Sequence, residues 1–304
     1  EAQQGHEEAS GNLAFDWGHG DEDQTNAAFE TAANVVSLKL VNNRLIVNSM
    51  ETRAAIGEFD SISGKATLHS CTQGGWLLKD QIANHTLKIE PDLVRVVTPD
   101  VGGGFGMKTF YYPEQALCIW SARKFGRPVK WVAERGESFL SDTMGRDHVT
   151  QVDMAFDSEN QIVGMRVDTV ANMGAYLSNF APYIPTLAAI KVMPGVYDIK
   201  SLYARVRGVF THTVPVDAYR GAGRPESIYM IERLMDKAAQ ELGVDRIQLR
   251  RKNFISSKIM PFTTTADEIY DSGDFDRVIN MVTARANWQT FGDRRAEAKN
   301  LGRR

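Results

Sequence analysis

Three short segments of the chain combine backbone freedom with polar side chains, the combination needed to hold an oxygen-rich, anionic ligand. Residues 101–108 read VGGGFGMK. Three consecutive glycines let the backbone reach positive φ and approach a ligand with no Cβ in the way. Their N–H groups can cradle an oxyanion or a phosphate. The run is not a dinucleotide fingerprint, because Met107 breaks G-x-G-x-x-G, and the G-x-x-x-x-G-K spacing of a P-loop is absent. Residues 67–76, TLHSCTQGGW, place Gln73 just before Gly74 and Gly75. A side-chain amide there can donate to an oxo group and accept from a substrate N–H or O–H. Residues 218–226, AYRGAGRPE, set Gly221 and Gly223 between Arg220 and Arg224, two fixed cations for an anionic group. Taken singly, these are a strand-to-helix turn, a loop glutamine and a helix start with surface arginines. Together they point to one polyanionic ligand held mainly by main chain.

Other constellations are weaker. His6, His19, His69, His85, His148 and His212 never fall at helical ligand spacing, and no H-E-x-x-H occurs, so no metal is expected on side chains directly. Two cysteines cannot build a disulfide framework, a four-cysteine zinc site or an iron–sulfur cluster. Cys71 reads as a small buried hydrophobe and Cys118 as core on a helix face. Asp142 and Asp147, around Gly145 and Arg146, read as a solvated loop and not as an acid–base dyad. A net charge of −3 with both signs mixed gives no nucleic-acid footprint. No apolar run approaches the ~20 residues of a membrane helix, and no signal segment opens the chain. A cytoplasmic protein is expected.

The elements that must position these loops alternate along 304 residues, 43% of them hydrophobic. Residues 35–41 have period-two apolar spacing and read as a strand, as do 53–59 and 129–133. Residues 93–98 form a β-branched run ending before Pro99, as a buried strand does. Residues 149–156 and 161–171 flank the polar turn 157–160 and read as a hairpin. Helices are expected from Gly74 onward, over 113–125 with Gly126 after it, over 225–242, and from an Asp245 cap through Arg251. The fold class is α+β, mixed sheets with covering helices. Residues 1–12, polar and acidic, read as a loose arm with nothing to bury. The charged helical stretch 283–304 stops without a terminating signal. Both ends read as cuts through a longer chain.

The motifs TQGGW, GGGFGMK and AYRGAGRPE, in that order, resemble the molybdopterin-containing large subunits of the xanthine dehydrogenase, aldehyde oxidase and carbon monoxide dehydrogenase family. The similarity runs through essentially the whole chain. It includes NSMETRAAIGEFD (48–60), GRPVKWVAERGESF (126–139), NMGAY (172–176) and ELGVDRIQLRRKNF (241–254), and leans toward the carbon monoxide dehydrogenase branch. The resemblance implies a molybdopterin-binding fold, with residues 1–226 as a first cofactor domain. Residues 227–304 would be linking helices and the incomplete start of a second. It implies that Gln73 and Gly74 lie beside a molybdenum oxygen ligand, and that Gly103, Gly104, Phe105 and Gly106 meet the oxo group and pterin. Arg220 and Gly221 would line the metal's other side, with Ala222 and Thr109 near substrate. The metal itself would sit on the pterin's sulfurs.

Departures from the family pattern narrow the expectation. Gly221 stands where carbon monoxide dehydrogenases carry a copper-binding cysteine. Purine-oxidising members have phenylalanine at Ala222, glutamate at Thr109 and arginine near Ala188. The family's catalytic glutamate belongs to the second cofactor domain, and Glu226, Glu232 and Glu241 do not fit its motif. The chain is therefore expected to carry no catalytic residue, to be inactive alone, and to work with the remaining large-subunit domains and with [2Fe–2S] and FAD subunits. The cofactor would be the cytosine dinucleotide form, and the substrate a small molecule, an aldehyde or N-heterocycle. Two alternatives are a non-catalytic pterin-binding or assembly module, and a flavin or nucleotide site on GGGFG.

Overall fold

The computed structural model describes residues 3–303. In chain order the main elements begin with β1 (Leu13–Gly20), α1 (Glu22–Thr31), β2 (Asn34–Asn42), β3 (Ala54–Phe59), β4 (Ala66–Ser70) and α2 (Gly75–Gln81). There follow β5 (Val94–Val97), α3 (Pro113–Phe125), β6 (Val129–Val132), α4 (Arg135–Ser141), β7 (His148–Phe156) and β8 (Ile162–Gly174). The chain continues through β9 (Leu202–Phe210), α5 (Arg224–Glu241) and α6 (Arg246–Asn253). A small hairpin, β10 (Phe262–Thr263) and β11 (Ile269–Tyr270), precedes α7 (Phe275–Arg285) and α8 (Phe291–Asn300).

Apart from that hairpin, the strands make two sheets with separate cores, the α+β arrangement expected. The larger has the order β1-β9-β8-β7-β2, and the smaller β5-β4-β3-β6. The hairpin β7–β8 turns where Asp157 Oδ1 accepts from the Glu159 and Gln161 N–H groups at 2.9 and 2.8 Å, a side chain standing in for a backbone turn. Helix α5 fixes the larger core. Its Met230, Ile231, Leu234, Met235 and Ala238 pack with Val152, Met154, Met165 and Leu202 from the sheet, each large side chain stabilising by ~1.5–3 kcal/mol. In the smaller unit α3 lies on β3. It opens with Pro113 and closes on Gly126 at φ 63°. The approach is so close that a Cβ on Gly57 would stand 2.5 Å from the Cys118 backbone. Cys71 and Cys118 are buried thiols, as expected.

Two expectations are overturned. Of residues 1–12, those described are not a loose arm: Ala9 is buried, and His6 Nε2 lies 2.6 Å from the Ala175 carbonyl while its ring packs on Phe210. A short polar run can dock when its carbonyls and rings find partners, which composition does not show. Residues 142–147 are not a solvated loop either. Asp142 and Arg146 are buried, because Arg53 and Glu226 supply the counter-charges. Several elements lie where no periodicity was assigned, chiefly β1, α1, β9 and α7.

Candidate functional site

Strands β4 and β5 are parallel neighbours, so the loops leaving their C-terminal ends emerge side by side. One carries Gln73 and the other the glycine run. Each of their contacts has a main-chain group of the glycine run on one side. The Gln73 N–H donates to the Lys108 carbonyl at 3.0 Å, the Thr72 hydroxyl donates to the same oxygen at 2.9 Å, and the Gly106 N–H donates to Gln73 Oε1 at 2.9 Å. The Gln73 amide is therefore not free at both ends: its oxygen is taken, and its NH2 remains as a donor. A Cβ at Gly104 would fall 2.3 Å from Gln73 Oε1, so any side chain there would displace the Gln73 amide.

The third loop arrives from the other sheet. Residues 144 and 216 form an isolated bridge, and beyond it the Arg220 N–H donates to the Phe105 carbonyl at 2.9 Å. Gly106, at φ +102°, sits where a Cβ would be 2.3 Å from the Ala218 carbonyl oxygen. The Arg220 guanidinium lies 5.8 Å from the centre of the Phe105 ring. Gln73, residues 103–106 and residues 220–221 thus form one surface. Thr109 and Ala222 flank it, held by N–H bonds to the carbonyls of Gly106 at 3.0 Å and Tyr219 at 2.9 Å. Among the described residues, the N–H groups of Gly103, Gly104, Phe105 and Gly221 donate to no protein acceptor.

Two supporting residues went unread in the sequence. Glu51 lies under the glycine run, accepting from the Gly102 N–H at 2.9 Å and from Lys108 Nζ at 2.7 Å, with the Lys108 side chain 1% exposed. Burial pushes the Glu51 carboxyl up, but the Lys108 ammonium and the Gly102 N–H outweigh it and hold it below its ordinary 4.5. A depressed carboxyl stabilises the fold above its unfolded pKa, and that contribution fades as pH falls through the folded value. Glu51→Gln is therefore expected to lower the urea midpoint at neutral pH and to flatten its decline below about pH 4.5. Parallel acid-side slopes for variant and parent would show that the carboxylate is not what holds the loop. The other residue is Arg146, buried behind the third loop. Glu51 falls inside the resembling stretch 48–60 and Arg146 outside every such stretch, and nothing in their spacing singles either out.

Among the described residues, no group of three or more His, Cys, Asp or Glu is placed to hold a metal ion. A family model described as "molybdopterin cofactor-binding domain" matches residues 5–254. The chain belongs to this family. As a molybdopterin cofactor-binding domain it is 34% identical over 273 residues to the carbon monoxide dehydrogenase large chain of Hydrogenophaga pseudoflava, covering 89% of this chain and 34% of that protein. It is 30% identical over 290 residues to subunit gamma of the 6-hydroxypseudooxynicotine dehydrogenase complex of Paenarthrobacter nicotinovorans, covering 90% of this chain and 35% of that one. The crystal structure of quinoline 2-oxidoreductase from Pseudomonas putida 86 superposes with a TM-score of 0.89 at 28% identity, over 96% of this chain and 37% of that one. The chain spans about a third of the length of these relatives. The residues of the molybdopterin cofactor-binding domain fit such a group. A cradle closed to any Cβ at Gly106, unpaired N–H groups and one amide NH2 suit an anionic cofactor that brings its own metal donors.

Proposed function

We propose that this chain forms part of the cofactor subunit of a molybdenum hydroxylase that acts on an aldehyde or a nitrogen heterocycle. The observation carrying this is the convergence of three loops from two sheets, joined by the Gly106–Gln73 and Arg220–Phe105 hydrogen bonds. Main-chain donors are left over beside Gly106, where a Cβ would strike the Ala218 backbone, and at Gly104, where it would displace Gln73. When bound, the cofactor supplies two-electron oxidation of an electron-poor carbon with oxygen derived from water. The chain's own part is binding and orientation. The Gln73 NH2 donates to an oxygen of the cofactor, the N–H groups of residues 103–105 and 221 hold its anionic oxygens, and Arg220 adds a fixed cation at the rim. Ala222 and Thr109 leave room for substrate. The base that activates water would come from the remaining large-subunit domains, and electrons would leave through [2Fe–2S] and FAD subunits.

Gly221 supports a reaction other than CO oxidation. A Cβ there would lie 2.6 Å from the Pro225 ring, at φ +96°, so a copper-binding side chain has no place without moving Pro225. The quinoline-oxidising neighbour supports a heterocyclic substrate. The cytosine dinucleotide form of the cofactor, a cytoplasmic location and the division into domains at residue 226 belong to the same proposal. On the far side of that division α5 packs into the core of the larger sheet. No helix of the described residues is long and apolar enough to cross a membrane.

The test is the composition of the native complex, purified through this chain from its own organism. About one molybdenum per copy, CMP on acid hydrolysis, and partners absorbing as iron–sulfur and flavin proteins are expected. A complex without molybdenum and without partners would reject the enzyme reading and leave a binding or assembly module in its place.

A further inference from the structure

Arg146 takes no part in the ligand-facing surface, yet its side chain is bonded to the backbone of that surface twice. It sits at φ 67° in the segment that pairs with residue 216 through Met144. Its guanidinium donates from Nη1 to the Tyr219 carbonyl at 2.7 Å and from Nη2 to the Arg220 carbonyl at 2.9 Å. Nη1 also meets Glu226 Oε1 at 3.2 Å, in the first turn of α5. The guanidinium lies 4.8 Å from the centre of the Tyr219 ring. Gly145, next to it, is required: a Cβ there would stand 2.3 Å from Tyr219 Cβ.

A planar fork bonded to two successive carbonyls fixes the planes of two peptides. In a trans peptide the C=O and N–H point in opposite directions, and the only cis bond among the described residues is Met260–Pro261. With the Tyr219 and Arg220 carbonyls turned toward Arg146, the two following N–H groups point away from it. That of Arg220 reaches the Phe105 carbonyl. That of Gly221 has no protein acceptor, and Gly221 is exposed. Glycine at φ +96° has the freedom to flip this peptide, so something must hold it.

We propose that Arg146 is a positioning residue for the cofactor loop: it holds the Arg220–Gly221 peptide so that the Gly221 N–H is presented to an anionic oxygen of the cofactor. The proposal rests on the molybdopterin reading above and assigns a task that reading leaves open. Glu226 anchors the fork from behind; its second oxygen, Oε2, is buried without a partner, so the carboxylate serves this contact and no other in the described structure.

The test compares the full complex purified with its cofactor and the same complex from a cofactor-deficient host, with hydrogen exchange read at single amides. Loading is expected to slow the Gly221 amide by about tenfold or more and to leave the Arg220 amide, already bonded to Phe105, within about twofold. Arg146→Lys keeps the charge beside Glu226 but loses the fork. It is expected to fold, to lose the slowing at Gly221, and to retain under about a tenth of the parental molybdenum. Glu226→Gln, which leaves the fork on both carbonyls, is expected to retain at least about half. Equal exchange of the Gly221 amide with and without cofactor overturns the proposal, even if the lysine variant does not fold. So does a folded lysine variant with lowered melting temperature but parental molybdenum and parental protection, which is the behaviour of a purely structural ion pair. A parental complex lacking molybdenum overturns the cofactor reading itself, a result distinct from either.

Discussion

Gly106→Ala is expected to leave the protein folded but almost empty of cofactor, with under about a tenth of the parental molybdenum and a stability loss of ~2–4 kcal/mol. Two terms add. At φ +102° an alanine is strained by ~1–3 kcal/mol. Its Cβ would also stand 2.3 Å from the Ala218 carbonyl oxygen, a backbone atom with no rotamer to escape into. Relief comes only by separating the glycine run from the Ala218 segment, which pulls the Arg220 N–H off Phe105 and the Gly106 N–H off Gln73. The binding surface opens at its seam. Gly136→Ala makes the control, since nothing lies within 4 Å of its Cβ position inside α4. Alanine there is expected to stabilise by ~0.5–1 kcal/mol and to leave molybdenum content unchanged. Parental loading in Gly106→Ala would show that the close approach is dispensable.

Arg53→Met is expected to be the most damaging change away from the site, at ~3–5 kcal/mol. Arg53 is buried, and its Nε donates to Asp142 Oδ1 at 2.6 Å, its Nη1 to Glu114 Oε2 at 2.8 Å and its Nη2 to Ser141 Oγ at 3.0 Å. The guanidinium also covers the Tyr112 ring at 3.8 Å, whose hydroxyl burial pushes up to about 12. Methionine fills the volume but strands two carboxylates. Burial already pushes the Asp142 carboxyl above its ordinary 3.8, against the opposing pull of Arg53; without that pull it rises further. A carboxyl with a raised folded pKa destabilises the fold above that value, and the penalty shrinks as pH falls and the folded state takes up its proton. Thermal unfolding is therefore expected to show a larger gap between variant and parent near pH 8 than near pH 5. A gap that is small and independent of pH would mean that the carboxylates reach water once Arg53 is gone.

Much of the candidate site was legible because its constraints are local. GGGFG advertises a backbone that must come close to something, and Gln73 before Gly74-Gly75 advertises an exposed amide. The strands 35–41 and 149–171 and the helix 113–125 showed their periods for the same reason, each having one apolar face. Arg146 and Glu51 were illegible, because a charge flanked by polar residues looks solvated until the fold brings a partner from far along the chain. β1 was obscured by Gly18 and Gly20 and by the exposure of one face. β9 alternates, LYARVRGVF, but with Gly208 and two arginines inside it the run is less apolar than the strands that were legible. The His6 contact with Ala175 had no sequence signature at all.

The two sheets have separate cores, and the loops that meet between them are joined by the Arg220 N–H bond to the Phe105 carbonyl, from far apart in the chain. Contacts of that span close slowly, since each must first overcome the entropy of the intervening chain. Hairpin β7–β8 and the pairing of β3 with β4 need no such closure. The larger sheet does need it: β2 must reach β7, and β1 must reach β9, across the whole of the smaller unit. The crevice where the loops meet is therefore completed only when the larger sheet closes around the smaller unit inserted between β2 and β7.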